Sequence, residues 1–200
     1  ILAWKDLCVH RGVRLSLGKV CDNDKLRCPY HGWTYNADGQ CVKIPAHPEQ
    51  TPPSKAQTIT YHAAVKYDMV WVCLGDPAND IPEFEEWGDD SYRKVLCGAY
   101  KFNAAGPRMV ENFLDVAHFP FVHENILGTQ EQTEIPEYEV TTDENGVTAS
   151  DIRVFQPNPD GTGVAKWVSY TYKVYRPLVA YFRKDAEQKF AILLMVTPIE

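Results

Sequence analysis

Two short stretches of this chain could bind a metal: Cys8-Val9-His10 and, after seventeen intervening residues, Cys28-Pro29-Tyr30-His31. Each offers one sulfur and one imidazole. A two-iron, two-sulfide cluster can use that mixed set, with both thiolates on one iron and both imidazoles on the other. The thiolate-bound iron stays ferric and the imidazole-bound iron takes the electron. Replacing two anionic ligands by neutral ones raises the reduction potential, to roughly −150 to +300 mV for such centres. Gly12 and Gly32 follow the two histidines; glycine there lets the backbone turn tightly and brings N–H groups close to sulfur. Zinc is the competing reading. Zinc fingers pair Cys with Cys and His with His, and the mixed pairs here argue against it. Alone, His10 or His31 would read as an ordinary histidine. With Arg11-Gly12 and Gly32-Trp33 beside them they read as one site.

A second constellation spans Asn112 to His123. Asp115 and His118 lie three apart and would share a helix face. His118 and His123 lie five apart, about 500° on a regular α-helix, and do not align. A π-like widening would align them, and Pro120 invites local distortion because it removes a donor and crowds the preceding turn. Two converging imidazoles could hold a ferrous ion in a two-His-one-carboxylate arrangement that leaves positions for O2 and substrate. Read by itself, the segment fits equally well two helix histidines satisfied by local partners, with Asp115 a surface carboxylate.

The elements that must position these residues are mostly strands. Residues 1–44 read as short strands with tight turns at Asp22-Asn23-Asp24 and Asn36 to Gly39. Trp33 and Tyr35 alternate as on a strand. Four prolines between 45 and 53 mark an extended loop. Residues 57–75 return to strand, with Val70–Leu74 read as a buried core strand. The acidic residues 76–98 read as a solvated connector, residues 108–127 as helix, and everything from Glu137 onward as successive strands. Asn145-Gly146 and Pro159-Asp160-Gly161 are hairpin signals. Strands in sequence with short turns imply an antiparallel sheet. The expected division is 1–88 and 89–200.

Two hundred residues suffice for two modest domains, and a 24% charged, 44% hydrophobic composition is ordinary for globular proteins. A net charge of −7 disfavours nucleic acid or an anionic membrane as partner. The longest apolar run, Phe190 to Val196, suits a strand and is too short to span a bilayer. Of six cysteines, Cys21, Cys41, Cys73 and Cys97 show no disulfide framework spacing; they read as free thiols in a reducing compartment, the bacterial cytoplasm. The chain opens and closes inside strand-like sequence, which reads as part of a longer protein.

Residues 6–39 resemble the N-terminal domain of Rieske non-heme iron ring-hydroxylating oxygenases, and Asn112, Asp115, His118 and His123 match that family's N-x-x-D-x-x-H-x4-H pattern. Neither ligand loop carries the extra cysteine of respiratory Rieske proteins, which points to the soluble branch with its lower potential. The resemblance, closest to the phthalate dioxygenase and vanillate demethylase branch, implies an α+β chain: an all-β Rieske domain, then part of a helix-grip catalytic domain of antiparallel sheet plus helix. It implies a [2Fe–2S] cluster on Cys8, His10, Cys28 and His31, and Fe(II) on His118 and His123. The third iron ligand is expected downstream; Asp151, Asp160 and Asp185 are weak in-chain candidates. Asp115 would link the two centres across a head-to-tail homotrimer, accepting from His31 of the next chain. Electrons would come from NAD(P)H through a reductase or ferredoxin, to activate O2 against a small cyclic organic substrate by hydroxylation or demethylation. A Rieske ferredoxin, an electron carrier without oxygenase chemistry, is the alternative; the length past residue 88 argues against it.

Overall fold

A computed structural model describes residues 1–22 and 24–199, so Asn23 of the expected turn lies outside the described residues. The chain divides into two compact units, Ile1–Ile81 and Pro82–Glu200.

The first unit is all β. Its strands are β1 (Ala3–Trp4), β2 (Lys19–Cys21), β3 (Lys25–Arg27), β4 (Thr34–Tyr35), β5 (Cys41–Lys43), β6 (Thr60–Lys66) and β7 (Met69–Cys73). They form a four-stranded sheet in the order β2-β3-β4-β5 and a three-stranded sheet in the order β1-β6-β7, all antiparallel. The strands are short because ligand loops interrupt them: one loop leaves β1 and the other joins β3 to β4. Both fold onto a core of Cys8, Leu15, Cys28, Tyr35, Cys41, Ile44 and Ala56. Gly18 is fixed by close approach, since a Cβ there would overlap the carbonyl of Arg27.

The Val70–Leu74 run forms strand as far as Cys73, but not the buried one expected. β7 is a sheet edge paired only with β6, and Val70, Val72 and Leu74 are exposed at 56%, 49% and 77%. A continuous apolar run cannot tell a strand covered on both faces from one covered on one.

The second unit opens with short helix α1 (Glu85–Gly88), then α2 (Gly106–Leu114) and α3 (Phe119–Val122). Five strands follow: β8 (Glu139–Thr142), β9 (Gly146–Gln156), β10 (Lys166–Tyr175), β11 (Val179–Asp185) and β12 (Phe190–Met195). They form one antiparallel sheet in simple meander order. The Asn145-Gly146 hairpin is held by the Asp143 carboxylate, which accepts the N–H of Asn145 at 2.7 Å and of Gly146 at 3.1 Å. A bulge in β9 falls at Asp151, whose φ is +53°. Alternate residues of the sheet (Ile152, Val154, Val168, Tyr170, Tyr172) meet Val116 and Phe119 in one core, with Phe113, Leu114 and Phe182 around them. The expected fold class, an all-β unit followed by antiparallel sheet plus helix, is what the chain adopts.

Two expectations give way. The helix read over 108–127 is broken: α2 ends at Leu114, Asp115 turns extended (φ −75°, ψ 110°), and α3 starts at Phe119. Pro120 falls in the first turn of α3, where its missing N–H costs nothing. The acidic connector is likewise not wholly solvated. The Tyr181 hydroxyl donates to the buried Glu86 carboxylate at 2.6 Å and Phe84 meets the Tyr181 ring edge-on at 6.0 Å. These contacts carry residues 82–88 into the second unit, so the division falls after Ile81 rather than after residue 88.

Ile152 is 4% exposed in the second core. Ile152→Ala should lower unfolding free energy by about 2–5 kcal/mol in chemical denaturation, through lost burial and the residual cavity.

Candidate metal centres

The two ligand loops have the same backbone. Cys8 N–H donates to the Val13 carbonyl at 2.8 Å and Gly12 N–H returns to the Cys8 carbonyl at 2.9 Å. Cys28 N–H donates to Trp33 at 2.8 Å and Gly32 N–H returns to Cys28 at 3.2 Å. Both glycines are left-handed, with φ of +73° and +70°, which only glycine adopts at no steric cost. Against this repeat the histidines are offset: His10 is two residues past its cysteine and His31 three. The offset sets the imidazoles edge to face, with ring centroids 4.7 Å apart.

Both cysteines are buried. Burial pushes the Cys28 thiol up; the Tyr30 N–H bond opposes this, the neighbouring Cys8 thiol adds to it, and the His31 N–H opposes it again. Donors already aimed at the sulfur would stabilise a thiolate. His10 is held below the ordinary histidine range by burial, then by His31 and Arg11, which favours the neutral imidazole a metal needs. Its Nδ1 is buried with no hydrogen-bond partner. A metal would satisfy that orphaned buried nitrogen.

Two neighbours complete the surroundings: Tyr35, in β4, and Trp33, just before it, whose alternation reads as that of a strand. The Trp33 ring stacks on His10, 4.5 Å between centroids and 3° from parallel. The Tyr35 hydroxyl lies 3.1 Å from Cys8 Sγ; the side chain is fully buried, and burial drives its phenol upward, so it stays protonated and able to donate.

In the second unit the helix break does what a π-widening would have done. His118 caps the start of α3 and His123 its end, and their rings come within 5.2 Å. Asp115 holds the break: its Oδ1 accepts the Ala117 N–H at 2.8 Å, and its Oδ2 lies 3.3 Å from His118 Nδ1. That nitrogen is buried without a hydrogen bond of good geometry. Phe119 meets His118 and His123 edge-on, at 5.1 and 6.2 Å.

Among the described residues no three His, Cys, Asp or Glu side chains gather around one point. A two-iron cluster needs only two protein ligands per iron, so the first donor set fits it. The His118–His123 pair could offer two of the three donors a facial triad needs. Asp151 accepts from Ser169, Asp160 pairs with Lys166 and the Gln188 N–H, and Asp185 pairs with Arg183. These in-chain carboxylates are engaged elsewhere.

Comparison with known proteins places both units. Residues 1–63 match the Rieske [2Fe-2S] domain family, and residues 102–199 match the vanillate O-demethylase oxygenase C-terminal domain. The chain belongs to the Rieske oxygenases of alpha-subunit type. It is 38% identical over 132 residues to methylxanthine N3-demethylase NdmB of Pseudomonas putida, covering 64% of this chain and 37% of that one. It is 36% identical over 137 residues to methylxanthine N1-demethylase NdmA of the same organism, covering 68% and 39%. The solved structure of an NdmA QL mutant with caffeine superposes with a TM-score of 0.81 at 27% identity, over 96% of this chain and 55% of that one. The chain thus spans less than half the length of these two curated relatives.

Hydrogen bonds to sulfur raise the potential of such a centre. Tyr35→Phe should therefore leave cluster content unchanged and lower its midpoint potential by roughly 20–60 mV, the equivalent of one hydrogen bond for a one-electron couple. Protein-film voltammetry checks this.

Proposed function

We propose that the full-length protein is the oxygenase component of an NAD(P)H-dependent system that hydroxylates or oxidatively demethylates a cyclic organic substrate. One observation carries the reading: one unit holds two neighbouring buried thiols and two imidazoles 4.7 Å apart, while a histidine pair backed by a carboxylate stands in a unit of oxygenase type. A Rieske ferredoxin would have no use for the second. Relatives named as N-demethylases support a ring compound as substrate.

Cys8, Cys28, His10 and His31 would hold a [2Fe–2S] cluster, and His118 and His123 would hold Fe(II). When bound, the cluster supplies one-electron transfer and the iron supplies O2 activation. The chain's own residues do the rest. Trp33 fixes the plane of His10 by stacking, and Tyr35 donates to the sulfur of Cys8. Asp115 faces Nδ1 of His118, which leaves Nε2 for the metal and sets the ring's orientation. Phe119 meets both histidines edge-on and packs in the same aromatic core as Phe113, Tyr172 and Phe182. Burial pushes the Tyr172 phenol up, with Tyr170 and Asp115 adding to it, so no second anion forms beside Asp115. His31 is exposed and Asp115 half-exposed. Both are therefore open to another copy, and in a head-to-tail trimer Asp115 would join the centres of neighbouring subunits. A reductase or ferredoxin would deliver the electrons.

Substitution tests the division of labour. His31→Ala should bleach the visible absorption of the cluster. His118→Ala should keep that absorption, lose one iron per chain by metal analysis, and abolish product formation; retained turnover would reject its role. Asp115→Asn should keep both metals and slow oxidation of the reduced cluster by O2 and substrate in stopped flow. An unchanged rate would reject the bridge.

A further inference from the structure

The two ligand loops present different surfaces. Residues 7–21, running through the first loop, carry Arg11, Arg14 and Lys19 and no acidic residue, in a chain of net charge −7. The imbalance holds at the level of the units. Residues 1–81 have nine Lys and Arg against eight Asp and Glu; residues 82–200 have eleven against nineteen. The same stretch of chain as Arg11 and Arg14, both exposed, carries three uncovered apolar side chains: Leu7 at 39%, Val9 at 41% and Leu17 at 68%. The adjoining acid, Asp6, is occupied: its two oxygens accept the N–H and the hydroxyl of Ser16, each at 2.7 Å. The second loop tip, Pro29-Tyr30-His31, is exposed but carries no Lys, Arg, Asp or Glu.

An exposed apolar cluster with charge of one sign beside it is the make-up of a transient protein contact. Electron-transfer encounters are small and short-lived, and are steered by complementary charge. The position is specific: Val9 and Arg11 flank His10, whose ring stacks on Trp33. A partner seated there comes within reach of the imidazole pair, whose rings lie 4.7 Å apart.

We propose that the face formed by Leu7, Val9, Arg11, Arg14 and Leu17 is the docking site of the electron donor, a protein whose own docking face is acidic. This rests on the cluster reading of the first unit.

The test uses the full-length protein with its cluster reconstituted, and two reductants: an acidic plant-type [2Fe–2S] ferredoxin, and photoreduced deazaflavin, which is small and uncharged. Bleaching of the cluster is followed by stopped flow. Arg11→Glu with Arg14→Glu should slow reduction by ferredoxin about tenfold or more and invert its ionic-strength dependence. Deazaflavin reduction should stay unchanged. The neutral pair Arg11→Gln and Arg14→Gln should fall between. Calorimetric affinity for oxidised ferredoxin should weaken in parallel, whereas Lys55→Glu, at an exposed position of the same unit outside both loops, should keep both values. Ferredoxin rates insensitive to the arginines, or lost equally in Lys55→Glu, would overturn the assignment. If deazaflavin fails to reduce the unsubstituted protein, the cluster reading itself fails, and the docking site with it.

Discussion

The first unit depends on bringing two thiols and two imidazoles together from two separate hairpin loops while keeping both sulfurs out of water. Burial opposes thiolate formation, as the raised Cys28 thiol shows, and only directed N–H donors or a metal offset that cost. The loops meet the constraint by repetition. Each closes with the same pair of backbone hydrogen bonds around a left-handed glycine, and each seats its cysteine in the same core. Short strands, the Gly18 contact and the fully buried Tyr35 all serve to hold two loop tips in register.

The second unit solves a similar problem differently. Residues five apart cannot face one way on an α-helix. The chain stops the helix at Asp115, lets that carboxylate bond the backbone two residues on, and starts again at Phe119 with proline in the first turn. The histidines then stand at the two ends of one short turn rather than along a helix face. Asp115 thereby has two jobs in one position: it makes the break, and it stands against the imidazole that the break presents.

Much of this was legible in the sequence because ligand chemistry and turn chemistry are local. Mixed Cys and His pairs, glycines after the histidines, and Asn145-Gly146 each specify their own surroundings. The five-strand meander followed from strands joined by short turns. What failed depended on neighbours distant in the chain. Val70–Leu74 looked buried because apolar composition does not report how many layers cover a strand. Residues 82–88 looked solvated because nothing local says that Glu86 meets Tyr181 ninety-five positions later. The helix over 108–127 looked continuous because its apolar spacing persists across the break. Trp33 and Tyr35 showed their shared face but not their partners, His10 and Cys8.

Two sulfurs and two histidine nitrogens of this chain on one cluster would leave a spectroscopic signature. Pulsed EPR of the reduced full-length protein labelled with 15N-histidine reads it. Strong hyperfine couplings are expected from two distinct histidine nitrogens, both lost or altered when His10 and His31 are replaced singly. A reduced cluster with no directly coordinated histidine nitrogen, or with couplings indifferent to those two residues, would overturn the ligand assignment.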